Sequence, residues 1–182
     1  MATEVDICNL ALAHLGDDAT IASIKPPEGS AQAENAARFY PIARNALLET
    51  HTWNFASKRV ALATTTNTLE QWEYAYVAPA DMMTPLAIIS PTAQNDYSTR
   101  MSSGDTPGGI TSNYSPTIVA GHYTPQQFAV EGIYIYSNQE NALLRYQSIV
   151  TDPSKFSPLF VITLSWHLAS MLAGPIIKGD QG

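Results

Sequence analysis

Charged residues and cysteine are scarce in this sequence. Asp, Glu, Lys and Arg make up 14% of its 182 residues, whereas soluble domains ordinarily carry about 25%. Charged residues are depleted at the cores of protein interfaces, so one interpretation is a protein that buries part of its surface against other subunits. A monomer with a surface rich in Ser, Thr, Asn and Gln is equally compatible with this composition. The single cysteine, Cys8, excludes an intrachain disulfide.

Positive charge is especially limited. The chain has nine Lys and Arg against sixteen Asp and Glu, which gives a formal net charge of -7. Tight binding of nucleic acid requires clustered Lys and Arg that neutralise phosphates. Because the sequence has no such cluster, we do not expect it to hold DNA tightly.

Motifs for catalysis are missing. The sequence contains no GxSxG, P-loop or dinucleotide-binding fingerprint. Its four histidines and its cysteine do not have the spacing of zinc ligands. We therefore predict no catalytic residue, no cofactor and no metal site. The alternative from another class is a glycoside hydrolase, since paired carboxylates can cleave glycosidic bonds and candidates occur at Glu49, Glu70, Glu73 and Glu131.

Targeting and membrane-spanning patterns are weak. The N-terminus carries Glu4 and Asp6 where a signal peptide has positive charge, so secretion by that route is not expected. The only candidate for a membrane span is residues 156–173, which include Ser, Thr, Pro and His. That mixture favours a helix buried in protein over a span, and we expect no membrane partner.

Helical patterns occupy both ends of the sequence. A capping-box pattern at Thr3 precedes a predicted helix over about residues 4–15, which ends at Gly16. Ser30 is placed to cap a second helix that ends near Thr50. Both helices show apolar residues at spacings of three and four.

Proline and glycine positions define the remaining helical features. Pro41 lies inside the second helix and predicts a kink near Arg38. Ser157 and Pro158 begin a third, strongly apolar helix, and the Gly-Pro pair at 174–175 is expected to end it.

The middle of the chain has strand and loop patterns. Residues 72–81 and 86–89 read as strands. Residues 95–127 are dominated by Gly, Pro, Ser and Thr and predict a long loop. Residues 128–137 and 142–150 predict the two arms of a hairpin.

The expected fold class follows from this order of elements. It is α+β, with a helical bundle built from the N- and C-terminal helices, an inserted antiparallel β region and a long extended loop. We predict one domain over residues 1–182. Residues 1–58 and 151–175 form its helical part, and residues 59–150 form the β insertion.

Four segments together resemble a known family. In chain order they are EVDICNLALAHLGD, AENAARFYPIARNALLETHTWNFASKRVALA, YAYVAPAD and FSPLFVITLSWHLASMLAG. An early helix ending in Leu-Gly, a Trp-x-Phe-Ala junction before a basic residue, a Tyr-rich strand before Pro-x-Asp, and a late apolar helix are similar to the tail tubular protein A family. Proteins of this family are the head-to-tail adaptors of short-tailed bacteriophages.

The resemblance implies a structural role in a virion. Twelve copies would form a ring below the portal protein, extend the DNA channel and provide a platform for the tail nozzle protein. Double-stranded DNA would pass through without specific binding, and the protein would be made in the host bacterial cytoplasm. The family pattern continues into a further C-terminal helix that docks on the portal, whereas this chain stops soon after Gly174. Muralytic activity has been attributed to some relatives, so the alternative that the resemblance implies is a virion-associated peptidoglycan hydrolase acting during infection.

Two sets of residues are candidates for this role. Trp53, Phe55 and Arg59 mark the junction between helix and strand. If the chain is extended there, both rings face the helical core and Asn54 faces away. The late apolar helix must be enclosed by the fold or by a neighbouring subunit. Its candidate subunit interface is Phe156, Phe160, Trp166, His167 and Leu172. A third hypothesis is a binding module that uses the loop at 95–127 for recognition.

Overall fold

A computed structural model describes residues 2–92 and 126–177. Within these residues the chain is a mixed α+β protein with three helices and two antiparallel sheets, as the sequence predicts. The loop predicted at 95–127 lies outside the described residues except for its last two positions. The chain divides into two compact units, Met1–Ala56 with Ile149–Gly182 and Ser57–Ser148. We call them the helical unit and the sheet unit.

The first helix of the helical unit, α1, spans Glu4–His14. The predicted capping box is present, since the Asp6 N–H donates to Thr3 Oγ1 at 3.1 Å and the Thr3 N–H donates to Asp6 Oδ2 at 2.8 Å. Gly16 has φ +73°, which allows the chain to turn after the helix. The Asp17 N–H then reaches the Leu12 carbonyl at 3.1 Å, so the end of α1 is closed as a Schellman motif.

The second helix, α2, spans Ala31–Thr50 and begins at the predicted cap. Ser30 Oγ accepts the Ala33 N–H at 3.2 Å. The helix continues through Pro41, which lacks the N–H that would bond the carbonyl four residues earlier. The kink near Arg38 stays a prediction. The buried face of α2 has mostly small or apolar side chains: Ala33, Ala36, Tyr40, Ala43, Arg44, Leu47 and Leu48.

The third helix, α3, spans Pro158–Ile177 and packs against both α1 and α2. Ser157 caps it as predicted, because its Oγ accepts the Phe160 N–H at 3.3 Å. The predicted end at Gly174 is wrong, since the helix continues through Pro175 to Ile177. Proline has a helical φ and costs one backbone hydrogen bond near the helix end, which α3 tolerates. Its buried face consists of Phe160, Leu164, Ser165, Leu168, Ala169 and Leu172.

The described residues of the sheet unit, 57–92 and 126–148, form seven strands in two antiparallel sheets. The strands are β1 (Ser57–Ala61), β2 (Ala63–Thr65), β3 (Tyr74–Val77), β4 (Met82–Ile89), β5 (Phe128–Glu131), β6 (Tyr134–Ser137) and β7 (Leu143–Ser148). One sheet has the order β1-β7-β4 and the other has the order β2-β3-β6-β5. Leu62 carries the chain from the first sheet to the second.

The predicted hairpin between residues 128–137 and 142–150 is wrong. Gly132 has φ +60°, and the two-residue turn that it begins folds the first arm back on itself. As a result β5 pairs with β6, while β7 pairs with β1 and β4 in the other sheet.

The other predicted strands are present with different lengths. The strand predicted at 72–81 is the shorter β3, Tyr74–Val77. The strand predicted at 86–89 is the end of the longer β4, which includes Pro85. Proline is compatible with an edge strand because one side of such a strand has no ladder partner, and β4 is at the edge of its sheet.

The core of the sheet unit draws side chains from both sheets. Its buried members are Tyr76, Ile88, Ile135, Ala142, Leu144 and Tyr146. The Tyr146 hydroxyl donates to Asp81 Oδ1 at 2.9 Å, and Lys58 Nζ is 2.6 Å from Asp81 Oδ2. The buried Tyr146 hydroxyl is thus paired with a carboxylate, which avoids the free-energy cost of burying a hydroxyl without a hydrogen bond.

Candidate functional site

The aromatic junction after α2 packs on α3. The Trp53 and Phe55 rings both meet Phe160 edge-on, with centroid distances of 4.9 Å and 5.1 Å. Asn54 is exposed, so the two rings do face the helical core while the residue between them does not. The backbone at Asn54–Ala56 is a 3-10 turn, however, and not the extended chain from which this arrangement was expected.

Trp53 has a second contact that sequence reasoning missed. Its Nε1–H donates to the Leu47 carbonyl at 3.0 Å, and the Thr50 hydroxyl donates to the same carbonyl at 2.8 Å. The last carbonyls of a helix have no partner within the helix, so Trp53 helps to close the end of α2. The spacing of six residues from a helix-terminal carbonyl gives no recognised sequence pattern.

Arg59, the third junction residue, belongs to the sheet unit. It is exposed on β1, directly opposite Arg145 of β7. The structure therefore brings Trp53 and Phe55 together and places Arg59 in the other unit.

The five candidate interface residues differ in exposure. Phe160 and Leu172 are fully buried and Phe156 is 8% exposed, so these three side chains build the core of a single copy. Trp166 is 56% exposed and His167 is half-buried. A neighbouring protein would therefore meet Trp166 and His167, and not the other three.

An exposed apolar face runs along α3. Leu159, Ile162 and Trp166 follow each other at spacings of three and four and are 65%, 52% and 56% exposed. We call these three residues the α3 stripe. The helix has no charged residue on any face. Sequence reasoning missed Leu159 and Ile162, because apolar residues cover nearly all faces of this helix and do not single out an exposed one.

Trp166 is held in a defined position by α1. Its ring stacks on His14 with centroids 3.7 Å apart and an interplanar angle of 9°. His14 Nε2 is 3.0 Å from Ser165 Oγ, and Ser165 donates its own proton to the Ile162 carbonyl at 2.8 Å. His14 Nε2–H is therefore the donor to Ser165. One side of the indole faces the imidazole, and the exposed part of the ring is available to a partner.

The apolar character of α3 is compatible with more than one environment. By length and composition the helix could cross a bilayer, and 33% of its most apolar 18-residue stretch is buried inside the protein. A single helix of this kind is weak evidence for a span, because core helices of soluble proteins have the same composition.

The four carboxylates considered for hydrolysis lie in different surroundings. Glu49 is on α2 in the helical unit, whereas Glu70, Glu73 and Glu131 are in the sheet unit. All four are exposed. The general acid of a glycoside hydrolase, by contrast, is held in an apolar pocket that raises its pKa. Among residues 2–92 and 126–177, no three His, Cys, Asp or Glu side chains are grouped as a metal site requires.

Comparison with known proteins leaves the family open. No protein-family model matches the chain, and no curated protein matches it. Function must therefore be inferred from the α3 stripe and the helical core beneath it, together with the sequence resemblance.

Proposed function

We propose that this protein is a structural component of a bacteriophage virion, a head-to-tail adaptor. Identical copies form a ring below the portal protein, twelve by the family resemblance. The ring extends the DNA channel and gives the tail nozzle protein a docking platform during assembly and genome ejection. This role requires binding surfaces and no catalytic group.

The observation that carries the proposal is the α3 stripe. Leu159, Ile162 and Trp166 are each more than half exposed on a helix without charge. Covering apolar surface is favourable by about 25 cal/mol per Å², and contiguous exposed apolar patches commonly mark interaction sites. A closed ring uses heterologous contacts, in which each copy offers two different faces. The stripe supplies one of them.

The fixed orientation of Trp166 supports the same interpretation. Tryptophan is enriched among residues that dominate binding energy, and an already ordered side chain loses less entropy on binding. The stack on His14 and the His14–Ser165 hydrogen bond order the indole before any partner arrives. Trp166 is therefore well suited to anchor a subunit contact.

The charge of the chain is compatible with a DNA conduit. A net charge of -7 repels a polyanion, so DNA can slide through a ring of such copies without being held. In this proposal the subunit is a helical bundle with an inserted β region and a long extended loop, and the assembled ring belongs to the head–tail junction of the virion.

Purified protein tests the proposal directly. The mass in solution is measured by light scattering, alone and after mixing with the portal protein, and particles are viewed by negative-stain electron microscopy. We expect a mass that is a large multiple of 19.7 kDa, and rings that bind the portal. A persistent monomer that ignores the portal would contradict the proposal. A monomer that binds lipid vesicles instead would assign the α3 stripe to a membrane.

A further inference from the structure

Arg44 has an unusual environment for an arginine. It lies on the buried face of α2 and is 6% exposed. Its Nε and Nη2 both donate to Asn45 Oδ1, at 3.0 Å and 2.9 Å. The amide of asparagine carries no charge. Arginine is rarely buried unless it is paired, because removing its charge from water costs several kcal/mol.

Among residues 2–56 and 149–177 of the helical unit, no carboxylate forms an ion pair with this guanidinium. Across residues 2–92 and 126–177 the ion pairs are Lys25 with Glu4, at 2.8 Å, and Lys58 with Asp81. Glu4 is thus engaged by lysine. The packed helix α3 contributes no charged residue at all. Arg44 therefore has no anionic partner within the described part of one copy.

The surroundings of Arg44 are open at one point. Its third guanidinium nitrogen, Nη1, is not fully covered and keeps some contact with solvent. One turn earlier on the same face, the Tyr40 hydroxyl is fully covered and, among the described residues, has no hydrogen-bond partner. The guanidinium thus lacks an anionic partner among the described residues, and the hydroxyl one turn away lacks a hydrogen-bond partner there. Buried polar groups are ordinarily hydrogen-bonded.

We propose that Arg44 forms an ion pair with a carboxylate of a second copy of this chain, and so completes its pairing only in the assembled ring. This inference rests on the proposed function. Charge favours a second copy as the partner, since each copy has sixteen acidic and nine basic residues and thus carboxylates in excess. A side chain of a packed neighbour can reach a nitrogen that is mostly covered, whereas a phosphate of duplex DNA is too bulky to do so.

The test compares the full-length protein with three variants. Arg44→Met removes the charge at similar volume, Arg44→Lys keeps a charge but loses the planar fork, and Arg38→Met removes an exposed arginine from the same helix as the control. Ring dissociation is measured by light scattering over a dilution series, and folding by thermal unfolding.

Arg44→Met should weaken assembly by at least about 30-fold for each subunit contact, the effect of truncating one partner of a buried charge pair. Its melting temperature as a monomer should be equal or higher, because a buried charge is replaced by an apolar chain. Arg44→Lys should fall between Arg44→Met and the wild type, and Arg38→Met should match the wild type.

Four outcomes would overturn the inference. Wild-type rings with unchanged Arg44→Met rings would refute the ion pair and leave the adaptor function standing. A large drop in the monomer melting temperature of both Arg44 variants would assign Arg44 to the core of a single copy. Arg44→Met rings of normal stability that fail only to bind the portal protein would place the carboxylate on the portal protein. A wild-type protein that stays monomeric both alone and with the portal protein would refute the inference and the proposed function together.

Discussion

Replacement of Trp53 by alanine tests whether the aromatic junction supports the fold or contacts a partner. Trp53 is half-buried, and its ring packs against Phe160 and also lies near His51 and Phe55, with centroids 5.1 Å and 6.0 Å away. A half-covered indole loses about 100 Å² of buried apolar surface on truncation, or roughly 2.5 kcal/mol. Its hydrogen bond to the Leu47 carbonyl adds about 1 kcal/mol. We expect Trp53→Ala to lower the free energy of unfolding by about 3.5 kcal/mol.

The assay is urea unfolding followed by circular dichroism at a helical wavelength, at a concentration where the protein is monomeric. Trp53→Phe is the matched control, because it keeps a ring against Phe160 and loses mainly the hydrogen bond, so that it should cost about 1 kcal/mol. If Trp53→Ala leaves the monomer as stable as the wild type but abolishes ring assembly, the junction is a partner contact and the reasoning is refuted.

Three further predictions concern single side chains. The Cys8 thiol is fully buried, and burial raises its pKa to about 12, so it should react with a thiol reagent at pH 8 only as fast as the helical unit opens; rapid labelling would contradict this. The hydrogen bond from Lys58 lowers the pKa of Asp81 below its ordinary 3.8. Ionised Asp81 therefore stabilises the sheet unit above pH 3.8, and this stabilisation should be lost as the pH falls below 3.8. Asp81→Asn should be less stable than the wild type at neutral pH, and its stability should not show this part of the acid dependence. His14→Ala should change the emission of Trp166 and increase its quenching by acrylamide, and unchanged quenching would show that the stack does not order the indole.

The helical elements could be predicted from sequence because their determinants are local. The capping box at Thr3, the glycine after α1 and the serines before α2 and α3 all act within a few residues. The end of α3 was predicted wrongly for a different physical reason. A proline near the end of a helix removes a single backbone hydrogen bond, and losing that bond does not end a helix that is packed along its length.

Strand pairing could not be predicted because it is decided between distant residues. The turn at Gly132 separates β5 from β6, and β7 joins strands that precede it by more than fifty residues. The length and alternation of the two predicted arms gave no information about which sheet each would join.

The candidate site was only partly visible in the sequence. The apolar composition of α3 pointed to the correct helix, but burial separates its faces. Phe160 and Leu172 face inward, while Leu159 and Ile162 face outward. The stack of His14 on Trp166 joins residues that are far apart in the chain, and the burial of Arg44 is evident only when the helices are packed.

The most direct test of the central claim is the mass in solution of a variant with a polar α3 stripe. Leu159→Gln with Ile162→Gln replaces two exposed apolar side chains, and glutamine is a good helix former. Ile133→Gln is the control, since Ile133 is 62% exposed on a turn of the sheet unit. The account predicts that light scattering at equal concentrations finds rings for the wild type and Ile133→Gln, and folded monomers near 19.7 kDa for the double variant. Rings of unchanged mass and stability in the double variant would contradict it.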